Sequence, residues 1–193
     1  AIIIMTQADK VKWDCKYARE ELYQEVSQVV LAYQHWIPSD GKALDVAGGT
    51  GRHAIWFAQR GLEVSLVDIS SEALQQATSR ASKAGVELTT VCRDLDDGLP
   101  EGKWDLIFSN LFFDRRLFPR FMEALAPGGC LMVIQPTQTN ASRHDKPPRR
   151  FLPGDNELPG LVAGLDILLY ETGWLQEGRF DAVLVAKSPF EDS

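Results

Sequence analysis

Residues 45–51 read Asp-Val-Ala-Gly-Gly-Thr-Gly, a turn that follows a short apolar run and precedes a helical pattern. The missing side chains at Gly48, Gly49 and Gly51 let the backbone turn sharply and approach a ligand closely. Asp68 ends the next apolar run, where a carboxylate can accept hydrogen bonds from both hydroxyls of a ribose. Together, the turn and Asp68 predict a site for a cofactor that contains adenosine.

Two classes of cofactor use such a turn, and the charges around it separate them. Residues 49–54 also satisfy the dinucleotide pattern Gly-x-Gly-x-x-Gly/Ala, so an NAD(P)-dependent oxidoreductase is the alternative. Asp45 ends the first apolar run, and its carboxylate suits a cationic ligand better than a pyrophosphate. Asp94 follows the third apolar run and can accept a hydrogen bond from an adenine amino group, with Asp96 and Asp97 as alternatives for that contact. These carboxylates favour a cationic cofactor.

The candidate residues require a sheet that brings the carboxyl ends of several strands to one edge. Short apolar runs alternate with helical patterns, which predicts parallel strands covered by helices on both faces. Ligands of such sheets lie at the carboxyl ends of the strands. The predicted strands are 43–46, 64–67, 86–92, 106–109, 131–135, 165–171 and 180–187, and the predicted helices are 52–60, 70–84, 117–125 and 157–163, after a broken helical region at 9–37.

The predicted fold is an α/β, three-layer, Rossmann-like doubly wound sheet of seven strands, mostly parallel with an antiparallel last strand. A turn at 177–179 joins the last two strands as an antiparallel hairpin. We expect one domain over 1–193, in which 1–40 form an N-terminal helical cap.

We predict a lid-like loop over 137–156, because residues 137–150 are polar and basic and have no apolar period. Lysine and arginine outnumber acidic residues there by four to one over 137–150. In an otherwise acidic chain this favours an electropositive lid over an anionic acceptor, with a solvated mobile loop as the alternative. The predicted substrate contacts are Arg143, His144, Arg149 and Arg150.

Composition excludes several classes of protein. The 193 residues carry a formal net charge of −7, which argues against a general nucleic-acid binder. Cys15, Cys92 and Cys130 show neither a metal-ligand pattern nor a disulfide framework. The apolar opening at residues 1–4 is too short to cross a bilayer. We therefore expect a cytoplasmic protein with a small-molecule substrate, no metal, and no nucleic-acid or membrane partner.

The order and spacing of five motifs carry a family resemblance. They are residues 45–51, 67–70, 94–95, 104–110 and 125–129. In this order they resemble the class I S-adenosylmethionine-dependent methyltransferases. A finer resemblance, to the tellurite-resistance (TehB-like) group, is carried by Trp13-Asp14, Tyr17, 51–54, 150–152 and 157–158. That group usually has Cys where Gly48 stands.

The resemblance implies transfer of a methyl group from the sulfonium of S-adenosylmethionine by in-line displacement to an oxyanion of the tellurite or selenite type, a thiol or a small metabolite. An acceptor that is already anionic needs no general base. A non-catalytic S-adenosylmethionine-binding protein is a further alternative. Trp13 and Tyr17 either cover the methionine end of the cofactor or pack in the core. The implied cofactor-binding residues are Asp45, Gly48, Gly49, Gly51, Asp68, Ile69, Asp94, Leu95 and Asn110.

Overall fold

The computed structural model describes residues 7–19 and 25–190. The strands are β1 (Lys42–Val46), β2 (Glu63–Asp68), β3 (Thr89–Cys92), β4 (Trp104–Asn110), β5 (Leu125–Pro136), β6 (Asp166–Trp174) and β7 (Phe180–Lys187). The helices are α1 (Gln7–Arg19), α2 (Gln28–Ala32), α3 (Arg52–Gln59), α4 (Ser71–Lys83), α5 (Phe118–Ala124) and α6 (Leu158–Leu161).

All seven strands form one mixed sheet in the order β3-β2-β1-β4-β5-β7-β6. β1 to β5 are parallel to one another, and β7 runs antiparallel to both β5 and β6. Because parallel strands end at the same edge, the residues that follow β1 to β5 gather there. The predicted fold class, with its antiparallel last strand, is confirmed.

Alternating side chains of the central strand β4 fill a separate core on each face of the sheet. Leu106 and Phe108 join the cluster beneath α3 and α4, whereas Ile107 joins the cluster beneath α5. All three side chains are fully buried, and each such burial contributes roughly 1.5–3 kcal/mol. A slip by one residue would move each set into the opposite core, where it would not fit its neighbours, so this pattern favours one register of β4 and one position of Asn110 at its end.

Several strand boundaries differ from the predicted ones, and two of these differences have identifiable reasons. β5 begins six residues before the predicted start, because residues 126–129 form a bulge between the Trp104–Leu125 and Leu106–Cys130 pairs. Gly128, with φ +71°, provides the backbone conformation of that bulge. β3 is shorter than predicted because the Val86 amide donates to the Ala81 carbonyl at 3.0 Å and so completes the end of α4.

The N-terminal region contains α1 and α2 as separate helices, and the predicted break between them falls partly on residues 20–24, outside the described residues. The apolar opening at 1–4 also lies outside them. Residues 137–156 contain two short 3-10 turns, Gln138–Ser142 and Arg149–Phe151. Within the described ranges, none of the helices combines the length and apolar character needed to cross a membrane.

Candidate cofactor and acceptor sites

The glycine turn between β1 and α3 is shaped by backbone conformations that side chains rarely allow. Gly49 and Gly51 have φ values of +58° and +76°, in the left-handed region that favours glycine. At Gly48 the limit is space, since a Cβ there would lie 2.5 Å from Asp45 Oδ2 and would also collide with Leu66. The turn therefore presents bare backbone next to a carboxylate.

Asp45 is a buried carboxylate with one unpaired oxygen. The residue is 1% exposed, and among the described residues Oδ2 has no hydrogen-bond partner. Burial raises the pKa of Asp45 to about 7; the Ala54 amide and Arg52 oppose that rise, whereas the charge of Asp68 adds to it. A cationic group placed beside Oδ2 would stabilise the ionised form. The geometry thus fits the cationic ligand that the sequence predicts.

Asp68 ties the end of β2 to the glycine turn. Its Oδ2 accepts from the Gly49 amide and its Oδ1 from the Ser70 amide, both at 2.9 Å. Burial raises the pKa of Asp68, against the opposing effect of these backbone hydrogen bonds. Each carboxylate oxygen can accept more than one hydrogen bond. Asp68 can therefore hold the turn in place and still receive two ribose hydroxyls.

Two interactions that the sequence did not reveal brace the glycine turn from outside. Arg80 of α4 donates through Nη1 to both the carbonyl oxygen and the hydroxyl of Thr50, at 2.9 Å each. His53 is 4% exposed, packs on the Phe108 ring and lies 3.2 Å from the Ser27 hydroxyl through Nε2. Burial, followed by the charge of Arg52, lowers the pKa of His53 to about 3, so the imidazole stays neutral.

The predicted adenine contact lies close to Asp68. The Arg93 amide donates to the Asp68 carbonyl at 3.0 Å, which places Asp94 beside the end of β2. Asp94 Oδ1 accepts from the Asp96 amide at 2.9 Å and starts the turn that carries the buried Leu95. Asp96 itself pairs with Arg116 at 2.6 Å. The contact pattern therefore favours Asp94 over Asp96 for a ligand.

Asn110 and Leu111 turn the chain at the end of β4. Leu111 has φ +60° and its amide donates to the Ile134 carbonyl at 3.0 Å, next to the Asn110–Ile134 pair of the sheet. The Asn110 Oδ1 is buried and has no partner among the described residues. Together with Asp45 Oδ2, it is a second polar atom at the carboxyl edge of the sheet that a ligand could satisfy.

The four predicted substrate contacts do not converge on one point. Arg143 lies over the Trp174 ring, 3.9 Å from its centre, and His144 Nε2 lies 2.6 Å from the Gly178 carbonyl. Because a carbonyl only accepts, that nitrogen carries the hydrogen. Both residues therefore pack on the β6–β7 hairpin. Arg150 lies over the Phe151 ring at 4.6 Å.

Arg149, in contrast, lines a polar pocket of about 320 Å³ in the 137–156 loop. Asp155 in its wall accepts from the Thr137 hydroxyl at 2.6 Å and from the amide and hydroxyl of Thr139 at 3.1 and 2.5 Å. Burial alone would raise the pKa of Asp155, but these hydrogen bonds lower it overall. The lining residues are Gln138, Thr139, Ala141, Ser142, Arg149 and Asp155.

Helix α1 also reaches the cofactor turn. A Cβ at Gly49 would lie 2.5 Å from the Tyr17 hydroxyl oxygen, so the side chain of Tyr17 rests on the bare backbone of the turn. Trp13 stacks on Tyr17 with ring centres 5.8 Å apart. Among the described residues, no three His, Cys, Asp or Glu side chains are grouped closely enough to hold a metal ion.

Comparisons with known proteins bear on the same residues. A family model described as a methyltransferase domain matches residues 43–129. The ribosomal protein L11 methyltransferase of Thermus thermophilus is 38% identical over 98 residues, which are 50% of this chain and 38% of that protein. The ribosomal RNA small subunit methyltransferase C of Alcanivorax borkumensis is 27% identical over 110 residues, 52% of this chain and 34% of that protein. The chain thus spans little more than a third of either relative.

Solved structures agree on the fold. TehB from Haemophilus influenzae superimposes with a TM-score of 0.73 at 19% identity, over 91% of this chain and 67% of that one. An identity this low shows the shared fold alone. The family match decides between the two cofactor classes in favour of S-adenosylmethionine. Residues 43–129, which include the glycine turn, Asp68 and Asp94, are therefore similar to a methyltransferase domain.

Proposed function

We propose that this protein transfers the methyl group of S-adenosylmethionine to a small, anionic acceptor, namely an oxyanion of the tellurite or selenite type, a thiol or another small metabolite. The observation that carries the proposal is the unpaired Oδ2 of Asp45, a buried carboxylate oxygen aimed at the bare glycine turn. A buried carboxylate left in this state costs stability, and a bound cation offsets that cost.

In this proposal, different residues contact different parts of the cofactor. Asp45 faces its cationic part, Asp68 accepts from the ribose hydroxyls and Asp94 accepts from the adenine amino group. Ile69 and Leu95, both buried at the same edge, provide apolar walls. The backbone at Gly48, Gly49 and Gly51 allows close approach, and Asn110 Oδ1 offers a further acceptor.

When bound, S-adenosylmethionine supplies an electrophilic methyl group on a sulfonium. The protein then has to align an acceptor with that methyl group and exclude water, and alignment of this kind is worth up to roughly 7–11 kcal/mol. The rigid turn suits this task because its backbone is fixed by Asp68 and by Arg80. We propose that the pocket beside Arg149 receives the acceptor.

In that pocket Arg149 favours an anionic acceptor, and the low basicity of Asp155 disfavours an acceptor that must lose a proton. The guanidinium of Arg149 lines the pocket and donates a long hydrogen bond, 3.5 Å, to Gln138. Asp155 is a weak base, because three hydrogen bonds from Thr137 and Thr139 lower its pKa. A neutral hydroxyl or amine would need a base to remove its proton, whereas an oxyanion or thiolate would not.

We also propose that this protein belongs to the TehB-like group. The likeness to TehB extends over 91% of the chain, well beyond the 43–129 domain. The two curated relatives are named for ribosomal protein and ribosomal RNA, but each covers only about half of this chain. Because the chain carries a formal net charge of −7, we propose a small-molecule acceptor rather than a nucleic acid.

The experiment combines calorimetry with an acceptor screen. S-adenosylhomocysteine and NAD are titrated separately into the protein, and S-adenosylmethionine is then incubated with tellurite, selenite, small thiols and carboxylates while S-adenosylhomocysteine release is measured. We expect binding of S-adenosylhomocysteine and turnover with at least one anionic acceptor. Tight NAD binding without S-adenosylhomocysteine binding would overturn the cofactor. Binding without release for any acceptor would favour the non-catalytic alternative.

A further inference from the structure

Helix α1 is joined to the amino end of α4 by a small set of polar contacts. Asp14 Oδ1 accepts from the Ser70 hydroxyl at 2.5 Å and from the Glu72 amide at 3.3 Å. Lys10 donates to Asp14 Oδ2 at 2.6 Å and to the Ser71 hydroxyl at 3.2 Å. A negative charge at the amino end of a helix interacts favourably with its dipole and its unpaired amides. Asp14 therefore serves as a second, external cap for α4.

A second contact fixes the rotation of α1 on α4. Gln76, one and a half turns into α4, donates through Nε2 to the Tyr17 carbonyl at 2.9 Å and to Glu72 at 3.1 Å. Asp14 and Tyr17 are three residues apart on α1 and thus share a face of the helix. Because the contacts at Asp14 and Tyr17 involve the same helix α4, α1 is held at two points.

These contacts lead directly to the cofactor-binding carboxylate. The hydroxyl of Ser70 donates to Asp14, while the amide of Ser70 donates to Asp68. The same Ser70 hydroxyl accepts from the Ala73 amide at 3.1 Å and so caps α4. One residue therefore connects the α1 carboxylate with the carboxylate that receives the ribose.

The Tyr17 side chain lies where the cofactor is expected. Its hydroxyl rests on Gly49, the residue whose amide Asp68 binds. Burial raises the pKa of Tyr17, and the charges of Asp68 and Asp45 raise it further against the effect of Arg52. The hydroxyl is thus protonated and stands within electrostatic reach of two carboxylates of the site.

We propose that Asp14 is a positioning residue of the cofactor site, which holds α1 on α4 and thereby sets the Tyr17 hydroxyl against the glycine turn, where it contacts the bound cofactor. The proposal rests on the cofactor site and is independent of which acceptor is methylated. It predicts that Asp14 acts on binding through Tyr17, without touching the cofactor itself.

A double-mutant cycle tests this coupling. The dissociation constant of S-adenosylhomocysteine is measured by calorimetry for the wild type, Asp14→Ala, Tyr17→Phe and the double variant. We expect each single variant to bind about tenfold more weakly, the lower end of what a hydrogen bond in a charged site contributes. The double variant should be no weaker than the weaker single variant, because the loss of Asp14 already removes the contribution of Tyr17.

Cys15→Ser is the matched control, because Cys15 is exposed on the same helix between the two residues. It should bind like the wild type. Asp14→Asn keeps an oxygen that can accept from Ser70 but loses the charge, so it should restore part of the affinity lost in Asp14→Ala. Thermal unfolding of each variant is measured without ligand. If Asp14 contributed to stability alone, the unfolding temperature of Asp14→Ala would fall while its affinity for S-adenosylhomocysteine stayed the same.

Three outcomes would overturn the proposal. They are unchanged affinity in Asp14→Ala, losses that multiply in the double variant, and an equal loss in Cys15→Ser. If Asp14→Ala does not fold, the cycle is run with Asp14→Asn. A wild type that does not bind S-adenosylhomocysteine at all would contradict the cofactor assignment rather than the role of Asp14.

Discussion

The glycine turn and the 137–156 loop stand at the same edge of the sheet but are built differently. At the turn, Asp68 is 6% exposed and is fixed by backbone amides on both of its oxygens. In the loop, the lysine and arginine side chains are exposed, and Arg143 and Arg150 lie on aromatic rings. Buried backbone hydrogen bonds are costly to break, whereas exposed side-chain contacts exchange readily. The proposed cofactor site is therefore preformed, and the proposed acceptor site is adaptable.

This contrast fits the two tasks that we propose. One cofactor has to be held in the same geometry in every turnover, which favours a rigid turn braced by Arg80. Acceptors of different size and charge can be admitted only if the loop that lines their pocket can rearrange. Variants that affect one region and leave the other unchanged test whether the two regions have separate roles.

The largest effect is expected for Asp68→Ala. Removal of the carboxylate leaves the amides of Gly49 and Ser70 without their acceptor and removes the proposed ribose contact. S-adenosylhomocysteine binding should weaken by roughly 1.5–3 kcal/mol, and the free energy of unfolding should fall by a similar amount, about 1–3 kcal/mol. Calorimetry and urea denaturation measure the two effects. Unchanged affinity would refute a cofactor role for Asp68.

Asp45→Asn should separate affinity from stability. The pKa of Asp45 is raised to about 7 in the folded state from a usual 3.8, so the folded protein binds a proton more tightly than the unfolded chain. Its contribution to stability is present below pH 4 and is lost as pH rises through 7, a change on the order of a few kcal/mol.

The asparagine variant lacks this titration. We expect it to be more stable than the wild type at pH 8 and to bind S-adenosylhomocysteine more weakly. Urea denaturation at pH 5 and pH 8 measures the first effect. If the wild-type and variant profiles differ by the same amount at both pH values, Asp45 is not the titrating group.

Arg149→Ala should affect the acceptor and spare the cofactor. We expect the Michaelis constant for an anionic acceptor to rise about tenfold, since a charged hydrogen bond is worth roughly 1.5–3 kcal/mol, with S-adenosylhomocysteine affinity unchanged. Arg150→Ala is the matched control, because Arg150 lies over Phe151 and does not line the pocket. An equal loss of cofactor affinity in Arg149→Ala would mean that the loop serves the cofactor.

The smallest effect is expected for Arg143→Ala. Arg143 packs over Trp174 in an exposed position, where such a cation–aromatic contact contributes roughly 0.5–1 kcal/mol. Thermal unfolding should show a slight decrease in stability. The Michaelis constant for the acceptor should stay within about twofold of the wild type, a change of only ~0.4 kcal/mol, because Arg143 is not among the residues that line the pocket. A rise as large as that for Arg149→Ala would place both residues at the acceptor.

Local patterns were sufficient for much of the fold. The prediction of a strand at 180–187 agrees with β7, and the helix after the glycine turn begins at Arg52 as predicted. The bulge at 126–129 was not predicted, because Pro127, Gly128 and Gly129 are residues typical of the end of a helix, although pairing with β4 continues across them. Local sequence does not reveal such pairing.

The candidate site was predictable where its residues follow strands and missed where it depends on distant partners. The carboxylates at 45, 68 and 94 lie at or just after the carboxyl ends of β1, β2 and β3, so their common edge could be predicted. The contacts of Arg80 with Thr50 and of Asp155 with Thr137 join residues far apart in sequence. The number of charges in the loop likewise does not predict that Arg149 lines a pocket whereas Arg143 and Arg150 lie over aromatic rings.

We expect binding of the proposed cationic ligand beside the unpaired oxygen of Asp45 to release a proton. With a pKa of about 7, this carboxyl is partly protonated at neutral pH, and a cationic ligand expels that proton when it binds. Binding heats should therefore depend on the ionisation enthalpy of the buffer, and affinity should climb as the solution becomes more alkaline. Acidification would release the ligand without any change in its concentration.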